Sequence, residues 1–214
     1  MDEAQRRACE SYVAGLFAPE DEVLADLRRA MKESGLPEIF ISPEEGRLLQ
    51  VLLKSIGARK VVELGTLGGY SAIWMARALP EDGLLISIER EELRADLARR
   101  YLVRAGVSDR VQVRVGEARE LLERIEVDGP FDAVFIDADK LSYPAYLDWA
   151  QANIRRGGLV IADNAFQEGG VLEAESDDPD ILGIQEFNRR VATDPRLTSI
   201  VVPTRDGVAI ALVN

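Results

Sequence analysis

Three oxygen-bearing side chains, Asp137, Asp163 and Asn164, follow two apolar segments of the chain and have the chemistry of a metal site. The sequence contains no histidine, so oxygen ligands favour Mg²⁺, Mn²⁺ or Ca²⁺ over zinc. Because Mg²⁺ prefers octahedral coordination, three protein oxygens would leave places for two vicinal substrate oxygens and one water. The alternative interpretation is that Asp163 and Asn164 only stabilise a turn, which both residue types favour.

Lys140 follows Asp137 by three residues, so its ammonium would reach the same place. Beside a metal-bound hydroxyl, a lysine would act as a base or hold the resulting oxyanion. The alternative is a solvated lysine in a loop. Because the chain has no histidine, Ser-His and Cys-His catalysis are excluded.

A second stretch, Val61–Ser71, reads Val-Val-Glu-Leu-Gly-Thr-Leu-Gly-Gly-Tyr-Ser and predicts a buried strand, a glycine turn and a helix start. Glycines let the backbone approach a ligand closely, although an ordinary strand–helix connection has the same pattern. The glycine spacing differs from G-x-G-x-x-G, since Leu67 occupies the place of the second glycine. Glu63, just before the turn, suits a cationic ligand. Glu89, 24 residues after Gly65, suits ribose hydroxyls.

Strands and helices alternate from residue 61 onward, which predicts an α/β fold with a doubly wound sheet. Because the carboxyl ends of parallel strands meet at one crevice, the polar residues after them are expected to converge there. Asp206-Gly207 is a hairpin signal, so the last two strands are predicted to be antiparallel. The predicted strands are 61–64, 84–89, 111–115, 133–136, 159–162, 197–202 and 208–213; the predicted helices are 4–17, 20–34, 42–56, 71–79, 91–105, 118–125, 143–154 and 179–193.

Composition limits the partners of the chain. With 214 residues, 47% of them hydrophobic, we expect a single domain over 1–214, in which residues 1–57 supply N-terminal helices and 58–214 the α/β core. The formal net charge of −12 disfavours nucleic acid and anionic membranes as partners. The single cysteine, the acidic N-terminus and the absence of a long apolar run lead us to expect a cytoplasmic protein.

Several motifs together resemble one family, the cation-dependent O-methyltransferases, which include catechol and caffeoyl-CoA O-methyltransferases. The resemblance rests on the Val61–Ser71 stretch, on Phe-Ile-Asp-Ala-Asp-Lys-x-x-Tyr and on Ile-Ala-Asp-Asn, and it runs from about Ile39 to the C-terminus. It implies a class I, Rossmann-like fold of seven strands with an antiparallel last hairpin, and S-adenosylmethionine as cofactor. The chain departs from the plant relatives at Ala165–Gly169, where those proteins carry Trp-Asn before the glycine.

The resemblance also assigns roles to residues. It implies that Lys140 assists deprotonation and that Asp137 serves the metal, the cofactor and catalysis together. Glu89 would hold the ribose hydroxyls and Ala118 the adenine. The remaining cofactor positions are Ile41, Glu63, Gly65, Thr66 and Ser71, and the metal ligands are Asp137, Asp163 and Asn164.

The activity expected on these grounds is metal-dependent transfer of a methyl group from S-adenosylmethionine to a hydroxyl of a vicinal dihydroxy aromatic. Two other classes remain open on the residues alone: an NAD(P)-dependent oxidoreductase, and a non-catalytic binding protein with vestigial acids. We also expect a homodimer. Acids follow the metal ligands, and residues 157–188 contain no Lys or Arg, so small catechols are expected to be preferred over acyl-CoA esters.

Overall fold

The computed structural model describes residues 2–37 and 39–214. Within these ranges seven strands form one sheet, in the order β3-β2-β1-β4-β5-β7-β6. The strands from β1 to β5 are parallel, whereas β7 runs antiparallel to both β5 and β6. The fold class, including the antiparallel C-terminal hairpin, is confirmed. The strands are β1 (Lys60–Leu64), β2 (Leu84–Glu89), β3 (Val111–Val115), β4 (Phe131–Ile136), β5 (Ile154–Ala162), β6 (Leu197–Val202) and β7 (Val208–Val213).

Helices cover both faces of this sheet. They are α1 (Glu3–Phe17), α2 (Glu22–Glu33), α3 (Pro43–Ser55), α4 (Tyr70–Ala76), α5 (Glu92–Arg104), α6 (Ala118–Ile125), α7 (Tyr143–Asn153) and α8 (Pro179–Thr193). No helix in the described ranges is long and apolar enough to cross a membrane.

Two helices have a terminus that differs from the sequence prediction by more than one residue. Helix α2 begins at Glu22, two residues later than predicted, because the Asp21 side chain accepts a hydrogen bond from Leu24 N at 3.0 Å and caps the helix there. Helix α4 ends at Ala76, three residues earlier than predicted, because Ala78 N and Leu79 N bond to carbonyls three residues back and tighten the chain before Pro80.

Two strands are longer than their apolar runs. Strand β4 begins at Phe131, where Asp132 accepts hydrogen bonds from the backbone of Arg59 and Lys60. Strand β5 begins at Ile154, directly after α7, and a register shift between Phe131 and Ala133 absorbs the extra residues.

The core is divided by the sheet because successive strand residues point to opposite faces. Val61, Phe135 and Ile161 pack with α2 to α5 on one face, whereas Val62, Val134 and Val160 pack with α6 to α8 on the other. Helices α2 and α3 therefore bury their apolar residues in the same core as one face of the sheet. The domain division at residues 57 and 58 stays a prediction.

Candidate active site

A cavity of about 430 Å³ lies at the carboxyl ends of the parallel strands. Its wall includes residues that follow β1 to β5, as the convergence argument predicted. It also includes the segment before α3 and residues of α4, α8 and the C-terminal hairpin, which that argument did not predict. Glu63 is fully buried behind this wall, and Asp163 lies 7% exposed beside a much smaller cavity. The predicted site residues that line the large cavity are Ile41, Gly65, Thr66, Ser71, Glu89, Ala118, Asp137, Lys140 and Asn164.

The turn after β1 requires glycine at position 65, because the backbone of the neighbouring strand end lies very close to it. Gly65 has φ +96°, and a Cβ there would lie 2.0 Å from the carbonyl oxygen of Asp137 at the end of the neighbouring strand. Leu67 also has positive φ, at 48°, and its N–H donates to Glu89 Oε2 at 2.8 Å. The turn is therefore held by a residue that the sequence assigned to the cofactor.

Glu89 is only 4% exposed, and both of its carboxylate oxygens are oriented by backbone groups. Oε2 accepts from Leu67 N, and Oε1 accepts from Glu91 N at 2.9 Å. The carboxylate is thus preorganised in the cavity wall at the end of β2.

Glu63 anchors a buried hydrogen-bond network behind the glycine turn. Its carboxylate accepts from Ser71 Oγ at 2.5 Å and from Ser87 Oγ, while Thr66 Oγ1 lies 2.5 Å from Ser87 Oγ. Burial raises the pKa of Glu63 to about 7 despite the two serine hydroxyls, which act in the opposite direction. In the structure as it stands, Glu63 touches Ser71 in the wall and not the cavity itself.

Lys140 lies over Asp137 because a short 3-10 turn, Lys140–Ser142, turns the chain back at the end of β4. Its Nζ donates to Asp137 Oδ1 at 2.9 Å and to Tyr143 Oη at 3.0 Å. The Tyr143 hydroxyl lies 3.1 and 3.2 Å from the carbonyl oxygens of Ile136 and Asp163, to which it donates. Sequence analysis assigned no role to Tyr143, although its spacing of three from Lys140 was part of the motif.

The predicted metal ligands are brought together at the ends of β4 and β5. Burial, followed by the charges of Asp137 and Glu45, raises the pKa of Asp163 to about 7. Asn164 has φ 55°, a left-handed conformation that asparagine tolerates, and its N–H donates to Asp163 Oδ1 at 2.8 Å. Asn164 Nδ2 donates to Asp206 Oδ2 at 3.0 Å.

This donor set fits a hard divalent cation. It combines the carboxylates of Asp137 and Asp163, of which the first helps to raise the pKa of the second, with one amide oxygen. In the described part of the chain no group of three or more His, Cys, Asp or Glu residues is placed to hold a metal. The predicted site therefore depends on Asn164 as its third protein ligand.

The cavity also contains residues that sequence analysis left without a role. Phe40 packs against Tyr70, with ring centroids 5.4 Å apart, and forms an apolar part of the wall. Asp139 lines the cavity and accepts from Tyr146 Oη at 2.5 Å. Asp206 also lines the cavity, although it lies in the turn between β6 and β7. Because this turn is distant in sequence from the metal ligands, no local pattern near them could have indicated that Asp206 belongs to the site.

Known proteins share both the sequence and the fold of this chain. The family model for O-methyltransferase matches residues 15–213. A catechol O-methyltransferase of Niastella koreensis is 40% identical over 210 residues, which cover 95% of each chain. The solved O-methyltransferase of Bacillus cereus in complex with SAH superposes with a TM-score of 0.92 at 40% identity, covering 97% of both chains. TomG of Streptomyces achromogenes, in complex with SAM and involved in tomaymycin synthesis, has a TM-score of 0.94 at 36% identity, covering 100% of both chains.

The chain therefore belongs to the O-methyltransferase family, and the predicted family, fold and class of enzyme, an S-adenosylmethionine-dependent O-methyltransferase, are confirmed. This family decides against the two alternatives, an NAD(P)-dependent oxidoreductase and a non-catalytic binding protein.

Proposed function

We propose that this enzyme transfers a methyl group from S-adenosylmethionine to one hydroxyl of a vicinal dihydroxy aromatic, and that it requires a divalent cation. The observation that carries the proposal is that the glycine turn, Glu89, Asp137, Lys140 and Asn164 all line one cavity. The name of the Niastella koreensis relative, a catechol O-methyltransferase, supports the same class of acceptor.

The cofactor would bind at the β1–β2 side of the cavity. Gly65 allows close approach there, and Glu89 offers a carboxylate that is already oriented towards ribose hydroxyls. Ser71, held by Glu63, and Thr66, beside Ser87, would form the wall around the methionine part, with Ala118 against the adenine. The backbone of Ile41 would close the opposite side.

Asp137, Asp163 and Asn164 would hold the cation, with Mg²⁺ the expected ion and Mn²⁺ or Ca²⁺ as possible substitutes. When bound there, a divalent cation supplies positive charge that favours the ionised form of a catechol hydroxyl, whose ordinary pKa is about 10. Lys140 Nζ, held between Asp137 and Tyr143, would take up the proton if it enters the reaction as the neutral amine, or would stabilise the oxyanion as the ammonium. The remaining contribution of the protein would be to hold the acceptor oxygen in contact with the methyl group of the cofactor, in the orientation for in-line attack.

The proposed function is tested with a panel of free catechols, monophenols and methylated catechols. Each is incubated with methyl-labelled S-adenosylmethionine, with and without Mg²⁺. We expect label transfer only to catechols and only with the metal. Equal transfer to monophenols would contradict a requirement for two vicinal hydroxyls.

Glu89→Ala is expected to weaken S-adenosylmethionine binding by one to two orders of magnitude. Hydrogen bonds to a charged group contribute about 1.5–3 kcal/mol, and 1.4 kcal/mol corresponds to about a tenfold change in affinity. Isothermal titration calorimetry measures the loss. Glu92→Ala, which removes the same charge from an exposed position on α5, is the matched control and should retain the wild-type affinity. Equal affinity of wild type and Glu89→Ala would refute the ribose assignment.

Small catechols are expected to have a higher kcat/KM than caffeoyl-CoA. The cavity wall beyond the metal ligands contains the carboxylates Glu168, Asp180 and Asp206, and like charge repels the phosphates of a CoA ester on approach. The measurement compares caffeoyl-CoA with the methyl ester of caffeic acid at low and moderate salt. Preference for the CoA ester that weakens as salt rises would reveal a basic docking surface instead.

We propose that the enzyme is a homodimer that buries the outer face of α1 and α3. Tyr12, Leu16 and Phe17 on α1 and Val51 on α3 are each more than half exposed, and Arg47 Nε donates to Phe17 O at 2.8 Å, which joins the two helices. Light scattering should give about twice the 23.6 kDa of one chain, and Leu16→Glu should halve that mass. A wild-type mass of one chain would contradict the proposal.

The cytoplasmic location stays a prediction, which fractionation of the source cells would test.

A further inference from the structure

The turn between β6 and β7 packs directly onto the loop that carries the predicted metal ligands. Two backbone bonds join them, from Ala165 N to Gly207 O at 2.9 Å and from Phe166 N to Asp206 O at 2.8 Å. The Asp206 side chain adds two more, because Oδ2 accepts from Asn164 Nδ2 at 3.0 Å and Oδ1 accepts from Glu168 N at 2.7 Å. Asp206 is thus bonded to both ends of the loop over residues 164–168.

The bond to Asn164 decides how its amide is oriented. An ionised carboxylate only accepts hydrogen bonds, so the end of the amide that faces Asp206 must be the NH₂ group. Because the amide is planar, its oxygen is then directed to the other side. A metal ion needs that oxygen, and an amide turned by 180° would present two N–H donors to the cation.

The backbone on both sides of the contact between Asp206 and Asn164 adopts unusual conformations and is closely packed. Asn164, Glu168 and Arg205 all adopt positive φ, at 55°, 53° and 44°. Such conformations persist only where neighbouring structure holds them. A Cβ on Gly207 would lie 2.9 Å from the ring of Phe166, so the turn and the loop pack without space for a side chain.

We infer that Asp206 is a positioning residue that orients the Asn164 amide so that its oxygen is available to the divalent cation. The inference rests on the proposed metal dependence. It adds that affinity for the metal depends on a residue 42 positions away in sequence, in the C-terminal hairpin. Partners of this kind, behind the metal ligands, typically change metal affinity or activity by about 10–100-fold when they are removed.

The first test is direct binding of Mn²⁺, followed by the electron paramagnetic resonance signal of the free ion. We expect Asp206→Ala to raise the Kd for Mn²⁺ by about 10–100-fold and to leave the Kd for S-adenosylmethionine, measured by calorimetry, unchanged. Asp180→Ala is the control, because Asp180 is an acid of the same cavity wall whose side chain accepts from Leu141 N on another loop. It should change the Mn²⁺ affinity much less.

Asp206→Asn covers the case in which Asp206→Ala does not fold. It has nearly the same shape but only one oxygen for the two donors, Asn164 Nδ2 and Glu168 N, so an intermediate loss is expected. Unchanged Mn²⁺ affinity in a folded Asp206→Ala, or in Asp206→Asn if the alanine variant is unfolded, would overturn the inference.

A double-mutant cycle separates orientation from a simple effect of charge. Asn164→Asp puts a carboxylate at the ligand position, which presents oxygen whichever way it turns and which Asp206 would repel. In that background Asp206→Ala should weaken Mn²⁺ binding much less than it does beside Asn164, because no amide is left to orient. If Asp206 were itself a ligand, or acted only through its charge, its removal would weaken binding by about the same factor in both backgrounds and contradict the inference.

The two proposals fail in different ways. If the wild-type protein binds no Mn²⁺, the proposed metal dependence and the role of Asp206 fall together. If the wild type binds Mn²⁺ and Asp206→Ala binds it equally well, only the role of Asp206 is overturned.

Discussion

Lys140→Met is expected to lower kcat for a catechol acceptor by about 10²–10⁴-fold, the usual contribution of a positioned acid–base group. Its Nζ lies 2.9 Å from Asp137 Oδ1 and 3.0 Å from Tyr143 Oη, so the ammonium is held at the proposed reaction site. Methionine keeps much of the length and the apolar stem but removes the charge and every donor. The loss should therefore appear in the chemical step.

The measurement is single-turnover methyl transfer at saturating cofactor and Mg²⁺, together with calorimetry of cofactor binding. Affinity for S-adenosylmethionine should barely change, because Lys140 lies after β4 whereas the proposed ribose-binding carboxylate, Glu89, ends β2. Lys54→Met, at an exposed position in the last turn of α3, removes the same charge away from the cavity and should keep the wild-type kcat. An unchanged kcat in Lys140→Met would contradict a role of Lys140 in the reaction and leave it only a structural one.

Asp163→Ala is expected to lower kcat/KM by more than about 100-fold, since the loss of a metal ligand should exceed the 10–100-fold effect of residues behind the ligands. The wild-type enzyme should lose turnover in excess EDTA and regain it on addition of Mg²⁺ or Mn²⁺. The fold should survive the substitution, because the proposed role of Asp163 is to bind the metal and its side chain adds no apolar core volume. Thermal unfolding in EDTA measures this separately from activity.

The control for Asp163→Ala is Glu173→Ala, which removes an exposed acid ten residues further along the chain. It should retain both activity and the response to Mg²⁺. Full turnover of the wild-type enzyme in excess EDTA would contradict the metal dependence, whatever the behaviour of the variants.

The sequence by itself determined most of the fold, because the signals for its elements are local. Strands β2 and β3 and helix α6 have the predicted bounds residue for residue, since apolar runs or helical periodicity are bounded by turn residues on both sides. The convergence of Glu89, Asp137 and Asn164 on one cavity also followed from sequence, because parallel strands bring their carboxyl ends to one edge. The start of α2 did not follow from the sequence, because the side-chain cap of Asp21 makes the helix begin at Glu22, two residues after the predicted start.

Only the tertiary structure decided which groups stand behind the cavity wall. Glu63 lies buried against Ser71 and Ser87, and Asp163 lies beside a separate small cavity, because the twist and register of the sheet set the depth of each residue. The bond from Asn164 to Asp206 joins residues 42 positions apart. It depends on where the hairpin of β6 and β7 docks against β5, and that position is set by antiparallel pairing and by packing over the whole sheet, which no local pattern encodes.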